Sequence, residues 1–215
     1  MKSLLTAIAL IVASAAVTVA ESATKNAYVG VADQGKSKSA TCSACHGSEG
    51  NSAAADYPKL AGQHASYLAS TLRAYRDGSR ENAIMAGLAA VLSDEDIADL
   101  SVYYATQTVS SGAVQPDLLE RGEQLYRFGD SEKGISACAA CHGPTGVGLA
   151  SAVFPSLKGQ WAGYSETQLR SFRDGLRMNV MMNGVAKKMS DADIEAVSSY
   201  VEGLKWCLNV FFRYF

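Results

Sequence analysis

Apolar residues recur at helical spacing along most of the chain. "SYLASTLRAYRDG" (66–78) and "SETQLRSFRDG" (165–175) each show this period and close on a glycine, Gly78 or Gly175, as a helix C-terminus should. Ser93 with Asp96, and Ser190 with Asp193, have the form of capping boxes with aspartate in the usual glutamate place. The helices they start are predicted to bury Ile97, Leu100 and Tyr104 in one case and Ile194, Val197 and Val201 in the other. "PDLLERGEQLY" (116–126) predicts a further helix with proline well placed at its start, whereas 29–39 predicts a weaker, shorter one. "TVSSGAVQ" (108–115) is small and polar, lacks a periodic apolar face and reads as a linker. No segment carries a convincing strand pattern, so the expected fold class is all-α.

The same pattern occurs twice. Aligned on itself, the chain superposes "TCSACHG" on "ACAACHG" at an offset of 96, which becomes 97 after one inserted residue and stays there. "YPKLAGQ" (57–63) then falls on "FPSLKGQ", "YRDGSRENAIM" (75–85) on "FRDGLRMNVMM", "LSDEDI" (92–97) on "MSDADI", and Tyr103 on Tyr200. One register held over so many positions marks a duplicated domain. The expected organisation is a cleaved signal peptide at 1–20, a first domain at 21–108, a linker at 109–116, a second domain at 117–205 and an atypical apolar tail at 206–215. A residue present in both copies becomes a candidate for shared chemistry.

Composition narrows the setting. The 19 basic and 21 acidic residues leave no basic footprint for a nucleic acid. Residues 21–108 carry 7 basic and 10 acidic side chains, net −3, and residues 117–205 carry 10 and 11, net −1. Met1 and Lys2 precede an apolar run at 4–16 and then small residues, the form of a secretory signal, with cleavage after Ala20 or after Ala16. The rival reading is a membrane anchor, since the whole apolar stretch before Glu21 is near the minimum length for a span. Export would place the mature chain in an oxidising compartment.

Four of the five cysteines, Cys42, Cys45, Cys138 and Cys141, sit in two Cys-x-x-Cys units, and each unit is followed at once by histidine, His46 or His142. Cys-x-x-Cys-His is the attachment signature of a c-type haem, with two thiols for the thioether bonds and an imidazole to reach the iron. A redox dithiol would belong with a βαβ pattern that is absent here. A shared zinc site would have to bridge the 92 residues between Cys45 and Cys138. The expected cofactors are therefore two covalently bound haems, which would also supply core area that domains of this size lack.

The ligand on the opposite face of each iron decides whether it carries electrons or reacts with a bound molecule. His64 falls in register with Trp161, which cannot ligate, so it reads as a surface or packing residue. Met85 and Met182 are register partners, each seven residues before the segment that opens a capped helix, and they are the expected axial ligands. Met178, Met181 and Met189 have no methionine partner in the first copy and read as filler, although Met181 adjoins Met182. Pro58 and Pro155 follow the histidines by 12 and 13 residues and could offer carbonyls to the imidazoles. Arg76 and Arg173, or Arg80 and Arg177, could pair with haem propionates.

With "CSACHGSEGNS", "YPKLAGQ" and "MAGLAAVLSDEDIADL" in one half, and "CAACHGPTGVG", "FPSLKGQ" and "MNGVAKKMSDADIEAVSSYVEGL" in the other, the chain resembles the diheme cytochrome c4 family over residues 35–204. That resemblance implies two tandem class I cytochrome c domains, each wrapped around one haem, with His46 and Met85, and His142 and Met182, as axial ligands and no catalytic residue. It further implies a periplasmic or membrane-associated electron carrier between a quinol-cytochrome c reductase and a terminal oxidase. A diheme electron-accepting subunit of an enzyme complex, such as a flavocytochrome c sulfide dehydrogenase, is the alternative, and a diheme peroxidase is disfavoured by the paired methionines. The tail "KWCLNVFFRYF" departs from the family pattern; it reads either as an interfacial anchor giving peripheral membrane association or as a non-native terminus, with Cys207 as the odd thiol.

Overall fold

The computed structural model describes residues 28–204. The expected signal segment and the apolar tail with Cys207 lie outside the described residues. Within them the chain is helical, and the only β-type pairings are the isolated bridges Asp130–Ile135 and Leu149–Phe154.

The first half contains α1 (Ala32–Lys38), α2 (Ala40–His46), α3 (Ala65–Arg76), α4 (Ala83–Ala89) and α5 (Asp94–Ala105). The second contains α6 (Leu119–Phe128), α7 (Ala139–His142), α8 (Ala162–Arg173), α9 (Val180–Ala186) and α10 (Asp191–Glu202). Both predicted capping boxes form: the Ser93 and Ser190 side chains accept from the backbone of Asp96 and Asp193, whose carboxylates accept in return. Gly78 and Gly175 follow α3 and α8 with φ of 80° and 76°, the left-handed region that glycine enters at no steric cost. The helix predicted from Pro116 starts as a single 3-10 turn at Pro116–Leu118 and becomes α-helical only at Leu119. The weaker prediction at 29–39 condenses to the seven residues of α1.

In each half the N-terminal helix crosses the C-terminal one, α1 on α5 and α6 on α10, and α3 or α8 packs on the same C-terminal helix. Glycine makes the first crossing close. A Cβ on Gly35 would collide with the Asp99 carbonyl oxygen, and one on Gly122 would collide with that of Ala196. Asp99 and Ala196 are register partners, so both halves make the same crossing. The path from that glycine to the first cysteine differs, because the second half inserts the turn closed by the Asp130–Ile135 bridge.

The core of the first half is small, with Leu68, Leu100, Tyr103 and Tyr104 buried and Cys42, Leu60 and Leu92 against them. That of the second is larger and runs from Leu125 and Tyr126 through Ile194, Val197 and Val201 to Leu204, with Cys138 at its edge. Residues predicted for the two cores are where they were expected: Ile97, Leu100, Tyr104, Ile194, Val197 and Val201 are all buried.

The halves face each other through a near-twofold interface. Gln63 Nε2 donates to the Ser156 carbonyl while its Oε1 accepts from Ser156 N, both at 2.8 Å. Its register partner Gln160 does the same to Lys59, the register partner of Ser156, with both bonds at 2.9 Å. The 108–115 stretch is tied to both halves, with Ser110 N on Asn51 Oδ1 and Gly112 N on the Glu202 carbonyl. The Lys59 ammonium is buried here, over the Trp161 ring at 4.1 Å, and donates to the Ser110 and Gly159 carbonyls.

Candidate functional site

A cavity of ≈ 1230 Å³ runs between the halves and is walled by both Cys-x-x-Cys-His units, by Met85 and by Met182. Its volume exceeds the roughly 300–1,000 Å³ of an ordinary small-molecule pocket, as a space serving two ligands would.

Each unit is presented by a short helix. Cys42, Cys45 and His46 are three and four residues apart on α2, so they share one face. Cys138, Cys141 and His142 repeat the arrangement at the start and along α7. Both helices end on the histidine because the next residue, Gly47 or Gly143, takes φ of 78° or 76°. The two histidines are each 7% exposed. His46 Nδ1 lies 2.8 Å from the Pro58 carbonyl oxygen and His142 Nδ1 lies 2.9 Å from that of Pro155. A carbonyl only accepts, so Nδ1 carries the proton and Nε2 keeps its lone pair for a metal. Burial lowers the pKa of both imidazoles, an effect that the proline carbonyls only partly offset, and so favours the neutral form that ligation needs.

The four motif cysteines are unpaired. Burial pushes the Cys42 thiol up and the Cys138 thiol up to about 11. Reactive redox dithiols have depressed values, so that reading finds no support in the electrostatics. Among the described residues no group of three or more His, Cys, Asp or Glu converges to hold a bare ion, and the zinc reading lacks its ligand set.

The methionines reach the cavity wall from α4 and α9. Asn82 caps α4 by accepting from Met85 N at 2.9 Å, and Asn179 caps α9 by accepting from Met182 N at 3.0 Å. The cap bonds the methionine's own backbone and so fixes where its side chain starts. Met178 is 75% exposed and lies off the cavity wall, while Met189 also touches the wall but is 4% exposed and packs in the second core. Met181 is on the wall but 54% exposed, and it lacks the capped position that Met85 and Met182 share. His64 stays off the wall, at the N-terminus of α3.

The arginine alternatives separate clearly. Arg76 and Arg173 are engaged at the surface, with Asp94 and Asp191. Arg80 and Arg177 line the cavity, and among the described residues neither guanidinium forms an ion pair with a carboxylate. Their effect is visible on Tyr67: burial would raise its pKa, yet Arg177 and Arg80 bring it below the ordinary phenol value. A mostly apolar cavity with two guanidinium groups free of carboxylates on its wall, two pairs of unpaired thiols and two neutral imidazoles fits a haem in each half: apolar macrocycle, anionic propionates, thioether edge and iron. Asn82, Asn179, Gln63, Gln160, Tyr67 and Tyr164 went unremarked in the sequence, although each is one of a register-matched pair, and that pairing was the available signal.

Comparison with known proteins agrees with this arrangement. Residues 32–107 match the family model described as Cytochrome c, and 117–201 match that described as Cytochrome C oxidase, cbb3-type, subunit III. A cytochrome c4 of Pseudomonas aeruginosa is 46% identical over 179 residues, spanning 81% of this chain and 89% of the relative. A thiosulfate dehydrogenase electron acceptor of Thiomonas intermedia is 42% identical over 172 residues, spanning 76% of this chain and 78% of the relative. The crystal structure of reduced recombinant cytochrome c4 from Pseudomonas stutzeri superposes with a TM-score of 0.80 at 44% identity, over 82% of this chain and all of the other.

Proposed function

The chain belongs to the cytochrome c4 family, and on that premise we propose that it is a periplasmic electron carrier, passing electrons from a quinol-oxidising complex toward a terminal oxidase. It is a tandem pair of all-α cytochrome c domains with two covalent c-type haems, each of which supplies a reversible one-electron couple.

In this reading Cys42 and Cys45 hold one haem edge and Cys138 and Cys141 the other. His46 and His142 present Nε2 to the irons, oriented by the Pro58 and Pro155 carbonyls. Met85 and Met182, also on the cavity wall, would supply sulfur, a ligand type that raises the reduction potential. Arg80 and Arg177 supply cations for the propionates. Held by a histidine nitrogen and a methionine sulfur, neither iron would keep a free position for peroxide or another substrate, which favours electron carriage over catalysis. Export is supported by the basic start and apolar run at 1–20.

One observation carries the reading: the same six-residue set, two thiols, a carbonyl-bound histidine, a capped methionine, its asparagine and an arginine, occurs twice around one cavity. The test is an anaerobic redox titration of the matured protein, followed by exposure of the reduced form to carbon monoxide. Two one-electron waves with no uptake of the gas are expected; ready uptake by intact protein would overturn the closed-site reading.

A second reading follows from a relative's name. A thiosulfate dehydrogenase electron acceptor at 42% identity favours reduction by an enzyme of inorganic sulfur oxidation, which is the enzyme-subunit alternative in a specific form. Stopped-flow reduction by a quinol-cytochrome c reductase and by a thiosulfate dehydrogenase separates the two, since the physiological donor should be faster by orders of magnitude.

A further inference from the structure

Register-matched residues meet across the domain boundary. Arg80 Nη2 donates to the Tyr164 hydroxyl at 3.0 Å, and Arg177 Nη2 donates to the Tyr67 hydroxyl at 2.9 Å. Tyr67 and Tyr164 are register partners, as are the arginines. The matching extends to the rings beneath: the Arg80 guanidinium stands 4.7 Å over Tyr75 and that of Arg177 stands 4.5 Å over Phe172, another register pair.

At the centre the symmetry breaks. Gln168 Oε1 accepts from Arg80 Nη2 at 2.9 Å and from Arg177 Nη1 at 2.7 Å. Its register partner is Thr71, whose short hydroxyl interacts with Tyr67 in its own half. One amide oxygen therefore joins two like charges, whose repulsion grows as the local dielectric falls. An amide suits the task because its oxygen has two lone pairs and no charge, so it joins both guanidinium groups without neutralising either. Both groups line the cavity that also holds His46 and His142.

We propose that Gln168 is a positioning residue that fastens Arg80 and Arg177 to one oxygen between the two haem sites, so that the pair acts on both irons as a single shared positive field. The proposal rests on the haem reading of the cavity. A cation near an iron disfavours the more positive, oxidised state, so the field raises both potentials. Releasing it lowers both.

The test uses the full chain, matured with haem, in two variants. Gln168→Thr restores the residue of the first copy, and Gln168→Glu keeps length and shape but cancels one positive charge. Potentiometric titration is expected to show both reduction equilibrium constants falling about threefold in Gln168→Thr, roughly 28 mV on the scale where tenfold is 59 mV for one electron. In Gln168→Glu the fall should reach tenfold or more, about 59 mV. Thermal unfolding is recorded alongside. A lowered midpoint with unmoved potentials in both variants would make Gln168 a structural link only and overturn the proposal, as would a response confined to one haem. A chain with two covalent haems and unmoved potentials leaves the carrier reading standing, whereas a chain that matures without them sinks both.

Discussion

Met85 and Met182 hold the chemistry of the proposed carrier at the scale of single residues. Replacing either with alanine should open one iron: the reduced variant takes up one carbon monoxide per molecule, and the affected potential falls by on the order of 0.1 V, a modest share of the roughly 0.8 V that axial ligands span. Absorption spectra and redox titration of Met85→Ala and Met182→Ala check this, and unchanged spectra in both would refute the assignment. Asn82 makes a subtler claim, because its side chain bonds the Met85 backbone. Asn82→Ala should cost about 1 kcal/mol in stability, the usual value of a cap, and should make the Met85 ligand exchange faster, measurable as faster capture of an added ligand by the oxidised protein than in the parent chain. The cysteines, histidines and methionines were legible in the sequence because their chemistry requires fixed types at fixed spacing. The asparagines were not, since an asparagine before a seven-residue helix looks like any turn.

Each domain closes through its first and last helices, and in the second that closure centres on Asp193. Its carboxylate caps α10 and receives Lys133 and Arg121, the latter shared with Asp130. Burial would raise its pKa, but the bonds from Lys133, Ser190 and Arg121 override that and hold it far below the usual carboxylate range. A depressed value means that the stabilisation is fully present above the unfolded pKa of about 3.9 and is lost as the pH falls from there toward the folded value. Asp193→Asn should thus lower stability by roughly 3 kcal/mol at pH 6, near the low end for breaking a buried pair because both cations are partly exposed. The gap between variant and wild type should shrink below about pH 4; a gap independent of pH would argue against this account. The boxes themselves were readable from Ser-x-x-Asp, and so were the long amphipathic helices. The Gly35 and Gly122 crossings were hidden, because the inserted turn at 129–137 puts those glycines outside the register that aligns everything else. The ion pairs of Asp193 come from three separate segments, which no local pattern connects.

Across the whole molecule the two domains are joined by side chains that do the same thing from both sides. Gln63 and Gln160 each satisfy a backbone N–H and a backbone C=O of the other half. Replacing both with leucine removes the partners of six backbone groups, four across the interface and the N–H groups of His64 and Trp161, at about 1–3 kcal/mol for each that stays buried, and the cheaper outcome is separation. The double variant should keep two haems and helical content while its radius of gyration rises in small-angle scattering; an unchanged radius would show that the amides do not hold the domains together. Duplication was the easiest whole-molecule feature to read, and the family resemblance implies that the two domains pack, but the residues that join them were not legible. "YPKLAGQ" and "FPSLKGQ" stand out as repeats, and nothing in a repeat says that its two copies touch.

That reciprocity has a consequence for the linker. A surface that is its own complement needs no tether to define geometry, because two separate copies would meet by the same bonds, each glutamine finding the other's backbone. The covalent connection then contributes effective concentration, making docking intramolecular. Freed from having to match itself, each side could drift alone: Lys59 opposite Ser156, His64 opposite Trp161, Thr71 opposite Gln168. Tethering is thus what permits two mutually complementary halves to become lopsided, each carrying side chains at the seam that the other lacks.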